Sequence, residues 1–354
     1  MKSVHLIAKA ILLLGLLTPV KADDHWAYQP IQPPAIPETN SKNPIDAFVF
    51  AKLGEANLKP SPEAPPHILL RRAHLDLTGL PPSPEEMTAF QEAWKINSKN
   101  AWTDKVDTLL ASPHFGEQWA KHWLDIARYA ESDGYLGDTL RHWAWIYRDW
   151  VIDSINRDQP YDQFSIEQLA GDLLPKPSQS QKIATGFHRN NLKNTEAGLD
   201  KELARTKQVV NRTATTGTAW LGLTLACAEC HDHKHDAISH REFFEFYAFF
   251  NNTKDSDISV TLDKEWPITT IEKKKDQKEL PKPTPKAQAL AALPEIELRK
   301  THVHVRGDYT RHGEEVSPAT PAALHPLTIE EKEPARLALA KWLFAEDNPI
   351  TPRV

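Results

Sequence analysis

Between Pro44 and Asn252 the apolar residues recur at helical spacing, and this regularity confines the chain to a mainly α fold. Ile45, Phe48, Val49 and Leu53 share one predicted helical face. Trp119, Trp123, Ile126 and Ala130 follow the stripe of an amphipathic helix, and Trp143, Ile146, Trp150 and Val151 repeat it. Leu203, Val210 and Ala214 predict another such face. Ser83-Pro84-Glu85-Glu86 marks a helix start, a capping box with Pro at the first helical position. Residues 240–250, HREFFEFYAFF, predict a buried closing helix. Such aromatic stripes read first as core, and 11 Trp with 12 Phe are enough to fill one.

The flanks differ in kind. Residues 1–22 open with Lys2, run through 11 apolar-rich positions at 10–20 and end on Val20-Lys21-Ala22. That order predicts an export leader cleaved before Asp23, because a bilayer span needs about 20 residues. The mature chain is then expected in the periplasm or outside the cell, with no stable membrane span. Residues 23–43 are Pro-rich and read as a linker, followed by a helical domain over 44–253. A connector over 254–332 shows strand-like alternation at 258–262, 268–271 and 301–305, broken by Lys- and Pro-rich stretches. Residues 333–354 begin an amphipathic helix that reads as the first element of a further domain. The expected fold is mainly α: a multi-helix domain, then a small mixed α/β connector. On this reading 45–252 folds without the rest.

A net charge of −6 argues against a nucleic-acid partner, which favours a basic face. Two cysteines are too few for a disulfide framework. Both lie in Cys227-Ala-Glu-Cys230-His231, the C-x-x-C-H pattern of c-type haem attachment. Two thiols three positions apart can each form a thioether to one vinyl group of a single haem, and the adjacent imidazole can ligate the iron. Two other readings stay open. One is a C-x-x-C disulfide. The other is a transition-metal site, such as zinc, drawing on His231, His233, His235 and Asp236. For a sixth haem ligand, Met1 leaves with the leader and Met87 sits in a polar capped helix, so His188 and His122 are the candidates. Asp125 and Arg128 are spaced to pair on a helix. With Asp133, Tyr135, Arg148 and Asp149 they form a second polar group that could hold a propionate or a substrate, or serve as interhelical salt bridges. No G-x-S-x-G, Walker A or dinucleotide glycine pattern occurs. The expected function is an exported c-type haem protein with a redox partner protein, in electron transfer or haem-assisted oxidation. The alternative is an exported metal-binding or disulfide-bearing protein supporting extracellular polymer breakdown, without haem.

Several segments carry a family resemblance: NPIDAFVFAKL, LLRRAHLDLTGLPPSPEE, LLASPHFGEQWAKHWLDIARYAESDGY, TGTAWLGLTLACAECHDHKHDAIS and REFFEFYAFFNN. The stretch 45–252 resembles the planctomycete cytochrome-c-type family, also called domain of unknown function 1549. The resemblance implies haem c but no established reaction. Arg336-Leu-Ala-Leu-Ala-Lys-Trp-Leu resembles the opening of the partner domain of unknown function 1553, whose remainder is expected beyond Val354.

Overall fold

The structure, a computed structural model, describes residues 25–135, 137–194, 198–261 and 285–354. The expected leader and the strand at 268–271 lie outside these residues. Eleven α-helices and four short strands make up the described chain, so the mainly α expectation holds. The described residues form two compact units, one over Pro30–Lys121 and one that starts at His122 and takes in residues 25–29.

The smaller unit holds α1 (Pro44–Glu55), α2 (Pro66–Thr78), α3 (Pro84–Ile96), α4 (Ser98–Leu110) and the first part of α5 (Pro113–Ile126). The local signals act as read. The Asn43 side chain accepts from the amides of Ile45 and Asp46, and Ser83 with Glu86 closes a reciprocal capping box. The core is small: Leu70, Phe90 and Ala101, with Met87, Trp94 and Trp102 packed against it. Met87 is therefore a core residue of this unit. The expected apolar face of α1 is not buried, since only Ala47 is enclosed while Ile45, Phe48 and Val49 are exposed.

The larger unit is built on α6 (Trp145–Asn156), α7 (Tyr161–Ala170), α8 (Gln179–Ala184), α9 (Lys201–Leu221), α10 (His240–Asn251) and α11 (Ala335–Trp342). Its centre is aromatic. Trp123 meets Phe164 at 4.9 Å and Trp220 at 5.5 Å, and Phe187 meets Trp220 at 4.8 Å. Buried Gln168 accepts from both Trp123 Nε1 and the Tyr147 hydroxyl at 2.7 Å, so neither polar tip is lost on burial. Ile146, Trp150 and Val151 are buried as expected, and α10 encloses Phe243, Phe244, Phe246, Tyr247, Phe249 and Phe250. The α5 stripe departs from its reading: Trp119 and Ile126 are exposed, Ala130 lies past the helix, and α5 buries Gly116 and Ala120 instead.

Two antiparallel hairpins follow. β1 (Thr253–Ser259) pairs with β2 (Lys286–Ala292), and β3 (Thr301–His304) pairs with β4 (His312–Val316). β1 starts and ends earlier than the alternation at 258–262 suggested. The first hairpin is locked to the helices by charge. Asp255 receives Arg212 at 2.6 Å, Arg189 at 3.2 Å and Lys193 at 3.3 Å, and Arg189 also donates to the carbonyls of Ser256 and Ala289. Thr185 Oγ1 accepts from the Leu290 amide in the core. Burial works against the Asp255 carboxylate, but the three cations hold it below its ordinary range. The helix α11 is joined to the core by buried Arg336, which donates to Leu169 O and, bidentately, to Asp172. The idea that 45–252 folds alone thus meets a physical obstacle: β2 and its partners lie beyond it.

Candidate functional site

Helix α9 ends at Gly222, left-handed at φ 61, and the chain reverses into a 3₁₀ turn at Leu225–Glu229. With three residues per turn, positions i and i+3 share a face. Leu225 and Ala228 form the buried face, both fully enclosed. Leu225 fits there because Gly217 of α9 has no side chain; a Cβ would stand 2.5 Å from Leu225. Ala226 and Glu229 form a second face. Cys227 and Cys230 form the third, both free cysteines and both exposed as residues. One feature here was invisible in the sequence. Gly307, at φ +76 between β3 and β4, lies so close to Cys230 that a Cβ would stand 2.7 Å from its sulfur.

His231 is exposed, and its Nδ1 lies 2.7 Å from the Asp232 carbonyl oxygen. A carbonyl only accepts, so Nδ1 carries the proton and Nε2 keeps its lone pair outward. Asp232 in turn accepts from the His240 amide at the start of α10. His233 is differently placed. Its Nδ1 accepts from the amides of His235 and Asp236, and its Nε2 faces Thr224 Oγ1 at 2.9 Å. It holds the loop after the motif together. Among the described residues no group of three or more His, Cys, Asp or Glu converges on a metal position, so His231, His233, His235 and Asp236 are not assembled as a zinc site.

The candidate sixth ligands lie elsewhere. His188 is buried between Phe187 and Phe250, with neither ring nitrogen hydrogen-bonded, and burial followed by nearby arginines keeps it neutral far below its ordinary value. His122 is exposed on α5. The second polar group is dispersed. Asp133 pairs with Arg141 at 2.7 Å, Arg148 pairs with Asp149 and Glu131, and Tyr135 is exposed. The Asp125–Arg128 pair does not form, because α5 stops at Ile126. Arg128 then turns left-handed at φ 57 and donates to Asn211 on α9.

Residues 44–255 match the family model PSCyt2, described as a protein of unknown function (DUF1549). The chain belongs to this DUF1549 family. No curated protein matches it, and no solved structure does. The DUF1549 match takes in α1 to α10, the whole C-x-x-C-H turn and the first residues of β1, while β2, Gly307 and α11 lie outside it. Among the described residues no helix is long and apolar enough to cross a membrane.

Proposed function

We propose that this DUF1549 chain is an exported c-type haem-binding protein working in electron transfer or haem-assisted oxidation. The observation that carries the reading is the three-faced turn. It puts two free, exposed cysteines on one side and sets beside them an imidazole whose Nε2 is open. Cys227 and Cys230 would hold the group covalently and His231 would ligate the iron. When bound, haem would supply one-electron chemistry. The protein's part is to fix the thiols on a face whose opposite side is anchored by Leu225 and Ala228. It also selects the His231 tautomer through the Asp232 carbonyl. The reading includes export through a leader ending at Ala22, a redox partner protein, and a domain of unknown function 1553 continuing from α11.

The exposure of both cysteines also suits a second reading, a dithiol that closes to a disulfide in an oxidising compartment. One experiment separates the two. The full chain, produced with a c-type haem maturation system, is expected to give a pyridine haemochrome spectrum and a haem-stained band. Cys227→Ala and Cys230→Ala each should reduce or abolish the stain, and His231→Ala should change the spin state. A wild-type chain without covalent pigment, but with two thiols lost on oxidation, would overturn the haem reading in favour of the disulfide.

A further inference from the structure

A groove of about 500 Å³ runs along α9 beside the motif turn. Leu199, Leu203, Val210 and Ala214 give it an apolar floor, and the turn itself borders it through Ala226 and Glu229. Two features of its wall are left unfinished by the protein. Arg128 donates through Nη2 to the Asn211 carbonyl and side chain, and among the described residues no carboxylate pairs with it. Desolvation by its surroundings holds its guanidinium below the ordinary value. Asn191 is 5% exposed, yet neither its side-chain nitrogen nor its oxygen has a hydrogen-bond partner. Burying an amide without partners is unfavourable, so the site gains from a group that pairs with it. The other cation, Lys207, is already matched by Glu229 at 3.2 Å. Arg128 also keeps a left-handed backbone conformation that non-glycine residues adopt rarely, and that conformation carries its side chain across to α9.

A guanidinium with no carboxylate partner among the described residues, an unsatisfied amide and an apolar floor together complement an anion on a large apolar body. We propose that this groove is a carboxylate-binding site in which Arg128 and Asn191 receive the propionate edge of the haem held at Cys227 and Cys230. The inference rests on the haem reading above. Among the described residues only Nη2 of Arg128 is engaged, which leaves further donors for a carboxylate, and the Asn191 amide nitrogen supplies another. Ala226 and Glu229, which border the groove, alternate along the turn with Cys227 and Cys230, which would hold the group.

The test uses the full chain made with a c-type maturation system, as wild type, Arg128→Asn and Arg128→Lys. Asparagine tolerates the left-handed backbone, so the charge is removed without adding strain. Arg128→Asn is expected to lower the midpoint potential and to move the ionisation step in its pH dependence to higher pH, with Arg128→Lys restoring much of both. A second measurement does not depend on that variant folding. The Cys227→Ala/Cys230→Ala chain is titrated with haemin and with haemin dimethyl ester, which lacks the carboxylates; the ester is expected to bind about tenfold more weakly. Equal affinities, or an Arg128→Asn potential curve superimposed on that of wild type with haem fully attached, would overturn this inference and leave the haem reading standing. A wild-type chain carrying no covalent haem would overturn both.

Discussion

Gly307 sets a requirement at one backbone position. It is left-handed at φ +76, and the sulfur of Cys230 occupies the space where a side chain would begin. Ala at this position meets both obstacles at once, and the positive φ remains strained even where the Cys230 side chain turns aside. Gly307→Ala is expected to destabilise the fold by about 1–3 kcal/mol, read as a lower urea midpoint with unchanged m-value. On the proposed haem reading it should also lower the yield of covalent pigment relative to folded protein. A variant as stable as wild type would show that the turn moves away from Cys230 without cost. Nothing in the local sequence announces this contact, because the two residues belong to distant segments. The motif itself is legible because its chemistry is written in adjacent letters. The groove is not legible for the same reason as Gly307: Arg128, Asn191 and Ala226 come from three separated places.

At the scale of elements, the β3–β4 hairpin carries a pH response. His304 packs against Phe244 at 4.7 Å and Tyr247 at 5.8 Å, with His312 opposite it at 5.9 Å. Burial first, then His312 and Arg205, push its imidazole down to about 4. The unfolded chain takes up this proton near pH 6.5 and the folded chain only near 4. Between those values the unfolded state binds more protons, so the stability His304 contributes is intact above 6.5 and is lost as pH falls through the window. Buried His188 acts with the same sign. Urea midpoints measured from pH 7 to pH 4 should therefore fall for wild type and fall less for His304→Leu. Parallel curves would remove His304 from the account. Elements were readable where their cause was local. The Ser83 and Ser239 capping boxes span four residues each, and α10 announces itself by sheer aromatic density. The stripe on α5 and the face of α1 misled because periodicity identifies an apolar side, but not what covers it. Trp119 and Ile45 both fit the pattern and both stay exposed.

For the larger unit, the segment after 253 belongs to the helical body. β2 pairs with β1 along seven residues, and Arg189 and Thr185 reach its backbone from inside. A chain ending at 255, where the family match stops, loses β2 and leaves two nearly inaccessible arginines, Arg189 and Arg212, facing a disrupted partner strand. Such a chain is expected to be unfolded or aggregated. By contrast, trypsin cutting within the Lys-rich 273–282 stretch of the full chain should leave two pieces that co-elute in native size-exclusion chromatography. Pieces that separate without denaturant would show that the hairpin contributes little to holding the unit together. Composition drew a boundary at this place because lysine and proline change there. The ion pairs that cross it cannot be seen in one dimension, since each arginine reads alone as a solvated charge.

The anchored turn also divides two jobs between alternating residues. Leu225 and Ala228 are fully enclosed, while Cys227 and Cys230 are free, exposed residues. The packing that holds the backbone of the turn therefore spends neither cysteine. If the proposed haem is attached there, a host without the attachment machinery is expected to yield folded, colourless chain, because the anchor does not depend on the group.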